Sequence, residues 1–196
     1  MSKIEGQLGY YGLGDWWTDS LSEDERQKIL AGFAPMGLDS SSLIKGKVAS
    51  TKQSAVFFLF TLAEWFYQKE NRPIAFKIYQ KGLELIDPDK NPQDTHSFFE
   101  SMITMYYKNR DEPAGLDKAI EICQLHINAS QRLAAAFKTQ GVDPLPNHKG
   151  YEQLAIIYDK SKQYQKVIDL CNEAHNVGWY GTWDARVASA EKKLNK

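Results

Sequence analysis

The feature that most limits how this chain can fold is a pair of amphipathic helices, joined by a short turn, that recurs along it. In the first pair, apolar residues repeat at helical spacing, namely Leu59, Leu62, Ala63 and Phe66. Asn71-Arg72-Pro73 then interrupts the pattern, and a second amphipathic helix follows. Two such helices separated by so short a turn have to lie side by side and antiparallel. This segment is therefore predicted to form a helical hairpin.

Two more hairpins follow the first. The second has Phe99, Ile103, Tyr106 and Tyr107 on one helix and Leu116, Ala119, Ile120, Cys123 and Ile127 on the next. The third has Tyr151, Leu154, Ala155 and Tyr158, then Tyr164, Val167, Ile168, Cys171 and Ala174. An extra helix over 131–140 and a capping helix over 183–194 complete the pattern. No hairpin can bury its own apolar face, so the sequence predicts an all-α solenoid of about three hairpins with no sheet.

The hairpins resemble the tetratricopeptide repeat family. The third matches best, through Tyr151, Leu154, Ala155, Tyr158, Tyr164, Val167, Cys171 and Ala174. The first is similar through Leu59, Leu62, Ala63, Phe66, Ala75, Tyr79 and Gly82. The second has extra residues in its turn, and Glu100 and Thr104 stand where a large and a small residue are expected. The resemblance implies stacked hairpins whose first helices line a concave groove that binds peptide segments.

Residues 1–52 differ from the helical-repeat region, 53–196, and are predicted to form a separate N-terminal region. Gly6–Trp17 interleaves glycines with aromatics, which predicts an irregular arm with no helix over 6–14, one of whose tryptophans docks on the first hairpin. Ser22 and Glu25 form a capping-box pattern before a helix over 23–33. Residues 37–52 are rich in serine and glycine and are predicted to form a linker.

Charge and composition exclude several functions. The 24 Lys and Arg residues are balanced by 25 Asp and Glu residues, so the basic excess typical of nucleic-acid binding is missing. No apolar run approaches the roughly 20 residues of a membrane-spanning helix. The N-terminal sequence has no secretory signature, and two cysteines cannot form a disulfide framework. We therefore expect a cytoplasmic protein with no nucleic-acid or membrane partner.

Reactive side chains form only weak patterns. Cys123 with His126, and Cys171 with His175, have the spacing of paired metal ligands on a helix. Both cysteines also occupy apolar positions of their helices, which favours packing roles and predicts no metal or other cofactor. His96 and His148 are each expected just before a helix, as solvated or capping groups. With no catalytic motif in the sequence, we expect a protein that is not an enzyme.

The predicted function is a non-catalytic module that binds a protein or peptide in the concave groove. The residues predicted to face the groove are Phe57, Phe60, Glu64, Tyr67, Gln68, Phe98, Ser101, Met105, Lys108, Asn109, Lys149, Glu152 and Ile156. Three alternatives stay open at this point. The N-terminal arm could occupy the groove until a ligand displaces it, the aromatics could join copies of the chain in a homo-oligomer, or the chain could be an enzyme with an unrecognised site.

Overall fold

The chain is mostly helical, as predicted. In the computed structural model, which describes residues 4–34 and 39–196, it has 68% helix in eleven helices and little strand. Contacts divide the chain into two compact units, Met1–Ile86 and Asp87–Lys196. The predicted boundary after residue 52 therefore lies inside the first unit, which contains the first hairpin. None of the helices in the described ranges has the length and apolar character needed to cross a membrane.

The described residues of the first unit form five α-helices. They are α1 (Gly6–Tyr10), α2 (Gly14–Asp19), α3 (Glu23–Gly32), α4 (Ala55–Glu64) and α5 (Arg72–Leu83). The predicted capping box is present, because the Ser22 hydroxyl accepts from the Glu25 amide and the Glu25 carboxylate accepts from the Ser22 amide. Helix α4 begins with a simpler cap, in which the Ser54 hydroxyl accepts from the Phe57 amide, and α5 has a proline in its first turn. Helices α4 and α5 pack on each other as the predicted first hairpin.

The prediction that 6–14 contains no helix was wrong, since α1 occupies most of that range. The glycines of this segment allow close backbone approach. A Cβ at Gly6, which has a φ of +62°, would lie 2.4 Å from the Ser42 carbonyl oxygen, and one at Gly9 would lie 2.4 Å from that of Ile4. Helix α1 is therefore held by contacts with other segments, which outweigh the weak helix propensity of its sequence.

Docking of a tryptophan on the first hairpin stays a prediction, and the contact between the arm and this hairpin is made by Tyr11. Its ring stacks on Phe58 of α4 with centroids 5.0 Å apart, and its hydroxyl donates to the Gln53 carbonyl at 3.1 Å. Trp17 is buried, whereas Trp16 is partly exposed. These contacts explain why the arm and the hairpin form a single compact unit.

The predicted linker is packed in its first half. Residues 37 and 38 lie outside the described residues, but a 3-10 turn at Ser40–Leu43 buries Leu43 completely. The carbonyls of Ile44 and Gly46 then accept hydrogen bonds from the amides of Glu5 and Gly6 at 3.2 and 2.9 Å. Here the serines and glycines form a tight turn against α1 rather than a free connection.

The second unit contains the other two predicted hairpins, the extra helix and the terminal helix. Its helices are α6 (Pro92–Lys108), α7 (Gly115–Asn128), α8 (Ser130–Thr139), α9 (Lys149–Lys160), α10 (Tyr164–Val177) and α11 (Trp183–Leu194). Helix α6 packs on α7, α7 on α9, α9 on α10 and α10 on α11, and α6 also contacts α9. The first helices of these two hairpins, α6 and α9, are therefore neighbours.

The expectation of no sheet was wrong for a short region of this unit. Two strands, β1 (Leu145–Asn147) and β2 (Trp179–Tyr180), pair in parallel. They are the segments that follow α8 and α10, and neither has enough residues to show the alternation by which strands are recognised in a sequence.

A chain of hydrogen bonds fixes the extra helix α8. The Trp179 indole donates to the Ser130 hydroxyl at 2.9 Å, Ser130 lies 3.2 Å from the Tyr151 hydroxyl, and Tyr151 donates to the Glu173 carboxylate at 2.8 Å. Around it, Leu133 and Phe137 of α8 are buried in an apolar cluster that also contains residues of α9, α10 and α11. The extra helix is thus part of the core of the second unit.

The burial of the arm can be tested with two neighbouring tryptophans. Trp17→Ala removes a large buried side chain and should lower the free energy of unfolding by about 3–5 kcal/mol. Trp16→Ala is the matched control, and because Trp16 is partly exposed it should cost clearly less. Urea unfolding followed by circular dichroism measures both. Equal, small effects of the two substitutions would show that the arm is not packed as described.

Candidate functional site

The predicted groove residues of the first unit differ in exposure. Phe60 is buried and Phe57 is partly buried, with their rings in edge contact at 5.0 Å. Glu64, Tyr67 and Gln68 are exposed. Of the groove residues predicted in this unit, the exposed ones are therefore two polar residues and one tyrosine.

The predicted residues of the second unit lie on the neighbouring helices α6 and α9. Phe98 and Met105 are buried, so their side chains are not available to a partner. The remaining residues are exposed or partly exposed, namely Ser101, Lys108, Asn109, Lys149, Glu152 and Ile156. We call this set the α6/α9 face. It is mostly polar, although the residues predicted to face the groove include the aromatics Phe57, Phe60, Tyr67 and Phe98.

Glu100, which is not among the predicted groove residues, lies beside the α6/α9 face. Burial raises the pKa of the Glu100 carboxyl; Lys149 opposes this shift, and Glu152 adds to it. Glu100 stands where the repeat pattern expects a large residue. This departure from the pattern was the signal in the sequence that could have identified Glu100 as a residue of this surface. A half-buried acid beside Glu152 and Lys149 makes this part of the face a mixed-charge surface.

Farther along the two helices, Tyr107 lies between two cations. The Lys160 ammonium donates to its hydroxyl at 3.2 Å, and the Arg110 guanidinium lies 4.6 Å from its ring centroid. These contacts join α9 to the end of α6. The Arg110 guanidinium also pairs with the Asp111 carboxylate at 3.7 Å, so this part of the surface carries charges of both signs.

Three histidines meet in the interior of the second unit. His96 comes from α6, His126 from α7 and His148 from the residue before α9. The two nitrogens His126 Nε2 and His96 Nδ1 are 3.1 Å apart, and His96 Nε2 is 2.9 Å from the Asn147 carbonyl. His148 caps α9 as expected, accepting from the Tyr151 amide at 3.4 Å, but it is buried rather than solvated.

The partners of these histidines determine where their protons lie. A carbonyl only accepts, so His96 Nε2 donates to Asn147, and the Nδ1 of neutral His96 accepts from His126 Nε2. His126 Nδ1 is then free to accept from the Gly150 amide at 3.3 Å. The result is a continuous chain of hydrogen bonds, from Gly150 through His126 and His96 to Asn147, in which both imidazoles are neutral.

The expectation for His96 was wrong, because His96 lies inside α6 and is buried. Helix α6 starts at Pro92, four residues before His96 and earlier than the sequence pattern had indicated. Aromatic rings enclose the histidines: Trp179 stacks on His96 at 5.4 Å and Phe99 on His126 at 4.9 Å. This apolar enclosure is what makes a charged imidazole unfavourable here.

The geometry of the histidines does not converge on one point. The rings of His126 and His148 stack face to face with centroids 3.7 Å apart, so their nitrogens lie side by side. Within the described ranges, no group of three His, Cys, Asp or Glu side chains is placed to hold a metal ion. Cys123 and Cys171 are both buried and free, and burial raises their pKa values to about 12 and about 11. Such thiols are packing groups rather than reactive thiolates.

Comparison of the chain with protein-family models, with characterised proteins and with solved structures finds no significant match.

The histidine chain predicts acid sensitivity. Burial lowers the pKa of His96 from 6.5 to about 4 and the pKa values of His126 and His148 well below 6.5. Between pH 6.5 and pH 4 the unfolded chain binds protons that the folded chain does not. The contribution of these histidines to the free energy of unfolding is therefore fully present above pH 6.5 and is lost as the pH falls toward 4. The His96 shift alone corresponds to roughly 3 kcal/mol. Urea unfolding measured from pH 7.5 to 4.5 should show this loss.

Substitution of the central histidine tests its neutral, buried state. His126→Gln keeps a donor and an acceptor but does not titrate, so the slope of the unfolding free energy against pH should fall by about one proton relative to the unsubstituted chain measured under the same conditions. An unchanged dependence in His126→Gln would contradict the neutral, buried state of this side chain.

Proposed function

We propose that this chain is a helical-repeat module that binds a peptide or protein partner without catalysing a reaction. The packing of the second unit is the observation that supports it. Each helix of the series α6, α7, α9, α10 and α11 packs on the one before, and α6 also contacts α9. This is the order expected when hairpins stack as in the tetratricopeptide repeat family, and it favours a solenoid arrangement.

The α6/α9 face is the proposed binding surface. Stacked hairpins place their first helices side by side, and this face carries carboxylate, ammonium, amide and aliphatic groups within a few helical turns. Glu152 and Lys149 near one end, and Lys108 and Asn109 near the other, are at least partly accessible. An extended peptide offers main-chain donors and acceptors along its whole length, so a mixed polar surface suits it better than an apolar one.

A charge exchange on the α6/α9 face tests the proposal. Peptides are first selected for binding to the full chain from a random displayed library. The double variant Lys108→Glu with Glu152→Lys keeps the net charge but inverts the charge pattern of the face, and it should weaken the selected peptides by about tenfold or more. Affinities are measured by fluorescence anisotropy, and circular dichroism verifies that the variant is folded.

The matched control exchanges charges elsewhere on the same unit. Glu191→Lys with Lys192→Glu makes the same change at exposed positions of α11, and peptide affinity should stay within about twofold. If the control weakens binding as much as the test variant does, or if neither changes it, the α6/α9 face is not the binding surface. Light scattering of both variants identifies the case in which the partner is a second copy of this chain.

A further inference from the structure

A groove lies between the inserted helix α8 and helix α10 in the second unit. Its volume is about 770 Å³, which is within the range of about 300–1,000 Å³ found for ligand sites. Ala134, Ala135 and Val177 form its apolar part, and the remaining side chains of its lining are polar and exposed. We call this surface the α8/α10 groove. Its lining shares no residue with the α6/α9 face, and it exists because α8 is inserted between two hairpins.

One part of the lining is a row of amides on α10. Asn172 and Asn176 are exposed, and neither side chain forms a hydrogen bond to another described residue. Because they are four residues apart, their positions differ by about 6 Å along the helix axis. In an extended chain every second residue directs its N–H and C=O groups to the same edge, at intervals of about 6.7 Å. Each amide has both a donor and an acceptor, so the two are spaced to bind alternate residues of an extended main chain.

A second row on α10 is acidic. Asp169 and Glu173 are also four residues apart and exposed, and neither forms an ion pair with a described residue. The Gln165 amide donates to one oxygen of Asp169 at 2.9 Å, and the Tyr151 hydroxyl donates to one oxygen of Glu173 at 2.8 Å. These bonds orient both carboxylates and leave the second oxygen of each accessible to a ligand. Acceptors that are already oriented lose less freedom when a ligand binds.

The charge of the α8/α10 groove favours a cationic ligand. Its two carboxylates exceed the single ammonium group of the described lining, that of Lys138 on α8, so the lining has a net negative charge. In an extended peptide the side chains of alternate residues lie on one face, about 6.7 Å apart. Basic side chains at alternate positions would therefore match the spacing of Asp169 and Glu173.

The lining suits an extended segment better than a helix. A helix pairs its own N–H and C=O groups internally, so a helical ligand would leave the amides of Asn172 and Asn176 bound to water. Its binding would then depend on apolar contact, and two alanines and one valine offer little apolar area. An extended segment uses both the amide row and the acidic row.

We infer that the α8/α10 groove binds an extended segment of a partner protein that has lysine or arginine at alternate positions. The amides of Asn172 and Asn176 bind its main chain, and the carboxylates of Asp169 and Glu173 bind two of its basic side chains. Gln131 supplies a further donor and acceptor from the α8 side of the groove. This site is additional to the proposed function and depends on none of the residues of the α6/α9 face.

Nuclear magnetic resonance of the asparagine side chains tests the site directly. The probe is an octapeptide that alternates threonine and lysine, added to the full chain, and the control peptide has glutamate in place of lysine. The lysine peptide should shift the side-chain amide resonances of Asn172 and Asn176 saturably, because both amides exchange water for the peptide main chain. The glutamate peptide should not. If the lysine peptide shifts neither resonance, or the glutamate peptide shifts them equally, the site is refuted.

A pair of acidic residues on another helix provides the matched control for charge. Asp169→Asn with Glu173→Gln keeps the shape of both side chains and should weaken the lysine peptide by about fivefold or more, measured by fluorescence anisotropy. Asp117→Asn with Glu121→Gln makes the same changes at the same spacing on exposed positions of α7 and should weaken it by less than about twofold. Equal effects of the two double variants would show that the peptide responds only to the overall charge of the chain, which would overturn the site.

The amide row is tested from both sides of the contact. Asn172→Ala with Asn176→Ala should weaken the lysine peptide by about tenfold or more. Alanine favours a helix, so this variant should fold, and circular dichroism verifies that it does. The peptide is also prepared with N-methyl groups at every lysine or at every threonine, and at least one of these forms should lose about tenfold in affinity. If the alanine variant and both methylated peptides bind as well as the originals, the amides do not bind the main chain and the inference is wrong.

The charge exchange on the α6/α9 face separates this site from the proposed function. Lys108→Glu with Glu152→Lys should leave the affinity for the lysine peptide within about twofold, because the α8/α10 groove is unchanged. If this variant weakens the lysine peptide and the groove variants do not, the peptide binds the α6/α9 face and the groove site is refuted. If the groove variants weaken the lysine peptide while no selected peptide responds to the charge exchange, the groove site stands and the proposed function fails.

Discussion

The second unit depends on one chain of buried hydrogen bonds that joins helices far apart in the sequence. His126 on α7 connects His96 on α6 with the Gly150 amide at the start of α9, and His96 continues the chain to Asn147. Two of the three links use an unprotonated Nδ1 as acceptor, so protonation of either ring removes an acceptor and breaks a link. The packing of α6, α7 and α9, and with it the α6/α9 face, is thus coupled to the protonation of two histidines.

A second chain positions the insertion between the hairpins. Helix α8 has no counterpart in a simple repeat, so its position has to be fixed by contacts other than those between hairpins. Ser130, at its first turn, links the indole of Trp179 to the hydroxyl of Tyr151. Tyr151 is also close to His148, with ring centroids 4.7 Å apart, so the two polar chains meet at the start of α9. The helices of the second unit are therefore joined by side-chain hydrogen bonds mainly at the start of α9, rather than within any single hairpin.

Patterns within a few residues predicted the helices well. The features that the sequence did not predict depend on contacts between residues far apart in the chain. The capping box at Ser22 and the hairpin of α9 and α10 follow from local spacing, which the folded chain preserves. His126 is 30 residues from His96 along the chain, and no local pattern connects them. Gly6 suggested irregular backbone, because a sequence does not reveal that the Ser42 carbonyl passes within 2.4 Å of its missing Cβ atom.

Two polar groups of the second unit show how a group taken from water is satisfied within the fold. His126 satisfies both ring nitrogens through His96 and the Gly150 amide, which makes it a structural group despite its reactive side chain. The Asp159 carboxylate of α9 is held by the Lys193 ammonium of α11, which donates to its two oxygens at 2.7 and 2.8 Å. Both contacts join residues of different helices, so these polar side chains fix the helices of the unit against one another.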